Sequence, residues 1–272
     1  PIEYRLPMAS AQVKSCVLLA GLYARGETVV IEPTPCRDHT ERMLGLDVEE
    51  VGGVRRIVVD EGHTVPATTW TVPGDFSGAA FFLVAGCLVP DSELHFDDVG
   101  LNPSRTALLE VLRGMGADLT VENERVQGSE PVGDITVRTS SLEGVDIGGR
   151  LVPNLIDEIP IIAVAAACAE GRTEIRDAEE LRVKETDRLR AMAQNLRALG
   201  ADVTEREDGL IIEGNGPNLL STTVSSYDDH RVAMAMGVAG LVAHGATTIN
   251  NAECARVSFP NFWSELDRLA SF

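Results

Sequence analysis

Asp157-Glu158, the apolar run of residues 159–169, Gly171, Thr173-Glu174-Ile175 and the charged Leu181-Arg182-Val183-Lys184-Glu185-Thr186-Asp187-Arg188 form one continuous passage. It reads as an Ala-rich helix, a small-residue turn, a β-branched strand, a charged loop and a second helix closing on Leu199-Gly200-Ala201. The first helix is apolar nearly all round, so it should be buried inside layers of sheet rather than coat one. In the second, Leu189, Met192, Leu196 and Leu199 recur at helical spacing, and Gly200-Ala201 fits a C-terminal cap.

The same order appears three more times. Ser10-Ala11-Gln12 leads into a helix over residues 15–24, then Gly26, Thr28-Val29-Val30-Ile31, and Arg37-Asp38-His39-Thr40-Glu41 opening another helix. Asp75-Phe76-Ser77 precedes residues 79–88, followed by Glu93-Leu94-His95-Phe96, Ser104-Arg105 and a helix ending at Gly116-Ala117. Asp228-Asp229-His230-Arg231 precedes residues 232–243, followed by Gly245, Thr247-Thr248-Ile249 and a last helix over residues 259–269. Paired strands follow the second helices: 118–121 with 134–137, and 202–206 with 210–213 around a Glu207-Asp208-Gly209 turn. This repetition predicts an α/β (α+β) fold of β-α-β-α-β-β units. A doubly wound sheet is the other architecture to weigh, but no Gly-rich dinucleotide fingerprint follows any strand. One repeat precedes Pro73-Gly74 and three follow, which predicts two domains, 1–73 and 74–272.

The chain of 272 residues, 44% hydrophobic, can bury real cores, and its net charge of −19 argues against nucleic acid or an anionic membrane as partner. Small anions stay possible where a few cations converge. No apolar run is long and uninterrupted enough to span a bilayer. Five cysteines (16, 36, 87, 168 and 254) stand singly and read as buried free thiols in a reducing, cytoplasmic compartment. The chain begins without Met and inside a motif, which reads as a fragment.

Against this acidic background the 181–188 stretch reverses sign. If Glu185 or Thr186 opens the helix, Lys184, Glu185 and Arg188 stand at its N-terminus, where free N–H groups and the dipole favour an anion. The bland reading is an exposed helix start laced by Lys184–Asp187 and Asp187–Arg190 ion pairs. Asp157 fits an N-cap, and Arg231, unfavourable in a first helical turn, needs an anion, Asp228 or Asp229 to offset it. Ser10 fits a cap; Gln12 has no local duty. A His among acids, as at His39, is weak evidence for metal, and no metal or cofactor is called for. Together these residues repeat one device, polar and cationic helix N-termini, suited to a substrate with more than one anionic group.

Six motifs match, in order, the 5-enolpyruvylshikimate-3-phosphate synthase family: residues 6–15, Arg37-Asp38-His39-Thr40-Glu41, Gly74-Asp75-Phe76-Ser77, the 181–188 stretch, Asp228-Asp229-His230-Arg231 and Ser258-Phe259-Pro260. The Ser-Ala-Gln and Arg-Asp-His-Thr-Glu forms are similar to a bacterial branch with glyphosate-tolerant members. The resemblance implies transfer of the enolpyruvyl group of phosphoenolpyruvate to the 5-hydroxyl of shikimate 3-phosphate, without cofactor or metal, on the way to chorismate and aromatic amino acids. It also implies an inside-out barrel with helices buried within sheet layers.

By the same resemblance Asp157 takes the proton of the attacking hydroxyl, Glu185 is the acid/base at the methylene carbon, and Lys184 reaches both substrates. Arg188 and Arg231 clamp phosphoenolpyruvate; Ser10, Ala11, Gln12 and Arg37 contact shikimate 3-phosphate. Three places depart from the pattern: Cys36 where relatives often have Ser or Thr, Val257 where one branch has Lys, and Leu46-Asp47-Val48 in place of Phe-Gly. The family's N-terminal Lys-Ser, Asn-Ala-Gly-Thr and Arg-Pro-Met motifs are absent, so the chain resembles the last three-fifths of such an enzyme and would need the missing N-terminal part as partner. UDP-N-acetylglucosamine enolpyruvyl transferase, or a non-catalytic anion-binding remnant, are the alternatives.

Overall fold

The computed structural model describes residues 2–65, 67 and 69–270. The first passage is complete: β1 (Ile2–Arg5), α1 (Ala11–Gly21), β2 (Thr28–Glu32), α2 (His39–Leu44), β3 (Val48–Val51) and β4 (Val54–Val59). Its strands line up as β1-β2-β4-β3, the helix-linked pair β1-β2 parallel and the other pairs antiparallel. A parallel pair needs a crossover, which α1 supplies, whereas two residues suffice between β3 and β4.

The second passage holds α3 (Phe76–Leu88), β5 (Glu93–Gly100), α4 (Ala107–Gly114), β6 (Asp118–Gln127) and β7 (Glu130–Arg138), with strand order β5-β7-β6. A parallel bridge from Gly74 to Val99 stands where its leading strand would be. The third holds β8 (Asp146–Ile147), α5 (Ile159–Ala167), β9 (Glu170–Ile175), α6 (Arg188–Ala198), β10 (Asp202–Glu205) and β11 (Leu210–Asn215). Its order β8-β9-β11-β10 repeats the first sheet in position and direction. The fourth holds β12 (Thr223–Ser225) parallel to β13 (Thr248–Asn250), with α7 (His230–Val242) between and α8 (Phe262–Leu269) after.

All four sheets are open, and the apolar helices pack against them as expected. Every residue of α5 and nearly every residue of α3 is buried, and α3, α5 and α7 pack on one another. Phe81, Phe82, Phe259, Phe262 and Trp263 add edge-on aromatic contacts at one side of this core. The caps are as read: Gly200 takes φ 87°, and Ala201 N–H reaches back to Leu196 O at 2.9 Å.

Several expectations give way. Helix α1 starts at Ala11, not residue 15, because Ser10 Oγ accepts from Val13 N. It is not buried all round: Val13 and Leu19 are exposed, and so is Cys16. Helix α6 starts at Arg188, because the Asp187 carboxylate accepts from Arg190 N at 3.0 Å and fixes the boundary two residues late. Asp187 pairs with Arg182 at 2.8 Å rather than with Lys184, which lies on Glu180. Strand β6 runs on to Gln127, six residues past the expected end, as a polar and mostly exposed hairpin arm that apolar alternation does not mark.

Among the described residues two clusters hold most of the buried hydrophobic side chains, and the smaller has five buried members: Leu6, Leu18, Val30, Ile57 and Val59. Beside it lies a buried ionic cluster. Lys14 Nζ, with no exposed surface, sits 2.8 Å from Glu32 and 2.7 Å from Glu41, and Arg55 closes on Glu32 at 2.8 Å. Cys36 Sγ donates to Glu32 at 2.8 Å. Burial, and then Glu32, push this thiol up to about 12. A buried pair broken on one side leaves an uncompensated charge. Lys14→Met should therefore lower unfolding stability in urea by about 3–5 kcal/mol, and adding Glu41→Gln should recover part of it. Gly214 has no room for a side chain, since a Cβ there would meet Ala169 O at 2.3 Å and Ala166 O at 2.5 Å. Gly214→Ala should cost about 3 kcal/mol or more in the same measurement.

Candidate active site

The three buried helices start close together. Ser77 lies in the first turn of α3, Glu158 stands at the N-cap position of α5 without a side-chain cap bond, and Arg231 lies in the first turn of α7. Arg231 Nη1 donates to Ser77 Oγ and to Asp157 O, both at 3.0 Å, and Ser77 Oγ bonds the Glu158 carboxylate. Of the anions open to Arg231 from sequence, neither Asp228 nor Asp229 pairs with its guanidinium, which is offset by Asp157, 3.6 Å away, and Glu158, 3.8 Å away. Asp229 serves otherwise: one oxygen caps α7 through Arg231 N and Val232 N, the other takes Arg188 Nε at 2.7 Å.

Asp157 does not cap α5. Its carboxylate stands among four guanidiniums, Arg105 at 3.2 Å and Arg37, Arg188 and Arg231 at 3.6 Å each. Burial pushes this carboxyl up, but the arginines, Arg231 foremost, outweigh it and hold it at about 2. Next door, Glu158 has no exposed side-chain surface, and burial raises its carboxyl above the usual range in spite of Arg105 and Arg231.

Arg188 is 1% exposed and spans the cluster, with Glu185 on Nη2 at 2.7 Å, Asp229 on Nε, and a buried Nη1 that makes no hydrogen bond. Of the residues expected from sequence, Asp157, Glu185, Arg37, Arg188 and Arg231 are therefore brought together. Lys184 is not: it ends the 3-10 turn Glu179–Val183 and its ammonium lies on Glu180.

Ala11, Gln12, Ser15, Arg37, His39 and Thr40 line an open hollow of about 270 Å³. Arg37 belongs to both this hollow and the Asp157 cluster, so it joins them. Ser10 stands beside Ala11 with its oxygen committed to the α1 cap. Cys36 faces inward to Glu32, and Val257 is exposed. Ser77, Arg105 and Glu158 are the residues that sequence reasoning left without a role. Arg105 carried a usable signal, because Arg37, Arg105 and Arg188 all stand at the start of the second helix of their repeat.

A larger hollow of about 570 Å³, lined by Phe82, Leu94, Phe96 and Phe259, lies beyond Asp75 and Gly78, and its arginine, Arg268, is paired with Glu265. Among the described residues one group could hold a metal, His95, Asp97 and Asp134, mostly exposed on β5 and β7. No helix among them is long and apolar enough to cross a membrane.

Residues 1–266 match the family model of EPSP synthase (3-phosphoshikimate 1-carboxyvinyltransferase). The chain is 83% identical over 270 residues to a 3-phosphoshikimate 1-carboxyvinyltransferase of Salinibacter ruber, and 54% identical over 271 residues to one of Synechococcus sp.. These alignments take in 99% and 98% of the chain but 63% and 61% of the relatives. Thus the chain spans less than two thirds of the curated proteins it matches. An EPSP synthase structure from Acinetobacter baumannii superposes with a TM-score of 0.91 at 48% identity, over 99% of this chain and 62% of that one. The enolpyruvyl transferase NikO from Streptomyces tendae shares the fold, with a TM-score of 0.73 at 22% identity, over 94% of this chain and 58% of that one. With its repeats, its arginine cluster and these matches in agreement, the chain belongs to the EPSP synthase family.

Proposed function

We propose that this chain is the C-terminal part of a cytoplasmic 3-phosphoshikimate 1-carboxyvinyltransferase and works with an N-terminal part that supplies the opposite wall of the site. In this reading residues 1–73 are the last repeat of one domain and residues 74–272 are the other. The observation that carries it is Asp157 ringed by Arg37, Arg105, Arg188 and Arg231, with Glu185 on Arg188, inside a chain of net charge −19. Four guanidiniums around one carboxylate suit a pair of polyanions, shikimate 3-phosphate and phosphoenolpyruvate.

Glu185 protonates the methylene carbon of phosphoenolpyruvate, which makes C2 electrophilic. The 5-hydroxyl adds to C2 and gives its proton to Asp157; the tetrahedral intermediate then returns a proton to Glu185 and releases phosphate. A carboxyl held at about 2 is ionised but a weak base. Substrate anions that engage Arg188 and Arg231 weaken that hold and raise its basicity where the proton is taken. The unbonded Nη1 of Arg188 is a donor ready for one of those anions. Lys184 leaves Glu180 to reach both substrates, while Ser10, Ala11, Gln12 and Arg37 hold the shikimate phosphate side.

The test is phosphate release from phosphoenolpyruvate with shikimate 3-phosphate, by the full-length protein and by this chain with and without a separately expressed N-terminal part. We expect turnover by the full-length protein and the mixture only, none with UDP-N-acetylglucosamine, and a loss of about 10²–10⁴-fold in kcat for Glu185→Gln. Folded full-length protein that releases no phosphate overturns the reading. Asp157→Asn should lose turnover similarly and also destabilise the unliganded protein by about 2–3 kcal/mol. Because the folded carboxyl titrates below its unfolded value, that deficit should be full above pH ~4 and fade as pH falls through about 2. Urea unfolding of both proteins across this range checks the sign.

A further inference from the structure

Asn102 lies in the Leu101-Asn102-Pro103-Ser104-Arg105 turn between β5 and α4, and it is 2% exposed. Its amide oxygen is used locally, accepting from Ser104 N at 2.9 Å and Ser104 Oγ at 2.6 Å, a turn of the kind Asn makes readily. Both amide hydrogens point elsewhere, one to Asp38 Oδ1 at 2.8 Å and one to Glu130 Oε2 at 2.9 Å. Two donors and two acceptor sites are thus all filled, which exhausts what an Asn can do. Aspartate would keep the turn but bring a third carboxylate; a lysine would bridge the acids but lose the turn.

The two segments that Asn102 ties together each carry a guanidinium of the Asp157 cluster. Arg37 adjoins Asp38, on the side of the fold with the small core; Arg105 follows the Asn102 turn, on the side with the large one. Arg42 Nε forms an ion pair with the same Asp38 Oδ1 at 3.0 Å. Burial raises the Asp38 carboxyl, but Arg42 and then Asn102 outweigh it, so this acceptor stays ionised.

We propose that Asn102 is a positioning residue that clasps the Arg37 loop to the Arg105 turn and so sets the reach of Arg37 across the cleft to the phosphorylated acceptor substrate. This rests on the function proposed above. With its amide spent on Ser104, Asp38 and Glu130, Asn102 acts through Asp38 on Arg37. Arg188 and Arg231 are held by Asp229, Ser77 and Asp157 and do not depend on it.

The experiment is steady-state kinetics on the full-length protein. Asn102→Asp retains the acceptors for Ser104, loses both donors and repels Asp38 and Glu130. It should raise KM for shikimate 3-phosphate at least tenfold, while KM for phosphoenolpyruvate and kcat stay within about threefold, since the variant keeps the Ser104 turn that carries Arg105 and releases only the Arg37 loop. Asp38→Asn added to Asn102→Asp restores a donor and acceptor in exchanged places and should bring that KM back toward wild type. Asp38→Ala leaves the Asn102 turn untouched and should raise the same KM, which keeps the test open if Asn102→Asp fails to fold. An unchanged KM in both single variants, or an equal fall in kcat and both affinities that the exchange does not rescue, overturns the clasp. A wild type without turnover removes the parent reading and this proposal with it, whereas an active wild type with insensitive variants removes this proposal alone.

Discussion

A guanidinium keeps its charge at any pH a cell reaches, so Arg188, 1% exposed, obliges the fold to bring anions to it. They come from three places: Asp229 from the cap of α7, Glu185 from the loop before α6, and Asp157 from the approach to α5. Burying that one cation without them would cost several kcal/mol. The packing of α5, α6 and α7 is therefore tied to the assembly of the site. Asp229 shows the coupling most directly, since one oxygen holds the start of α7 and the other holds Arg188.

The helix starts impose a second constraint. Three buried helices that begin near one another present N–H groups without helical partners and the positive ends of their dipoles to one small region. Arginines at the same place compound that positive potential, and carboxylates must balance it. Asp157, Glu158, Glu185 and Asp229 do so in the unliganded chain, while a net charge of −19 keeps the rest of the surface acidic.

The repeat was legible in the sequence because it rests on local signals: Ala-rich runs, β-branched triplets and Gly-Ala caps at matching places. Those signals name the strands of the two four-stranded sheets but not their order, which depends on pairing between distant segments. Boundaries set by a single side chain were not legible. Asp187 rather than Glu185 or Thr186 starts α6, since a cap is chosen by which carboxylate reaches a free N–H, not by composition. The polar arm of β6 carries no period to read. In the site, the residues of charged motifs came together as expected, but Asp157 serves the arginines and not the helix, and Lys184 is held off by Glu180 four residues earlier. Arg105, Glu158 and Asn102 owe their importance to contacts across 28 to 81 residues of chain, which no window of sequence displays. Comparing repeat with repeat would have singled out Arg105 alone.

The balance of charge in the unliganded site bears on how it can work. Four arginines facing solvent without counterions would repel one another and scatter; four arginines holding four carboxylates stay in place. A bound phosphate then exchanges for a carboxylate rather than adding to a bare cluster, and much of its attraction is offset by the contact it displaces. What the exchange changes is the released carboxylate. In the proposed reaction Asp157, sharing its arginines with substrate, is a better base in the complex than in the free protein. On that proposal basicity appears where and when both anions are bound, which would couple proton transfer to substrate occupancy through electrostatics.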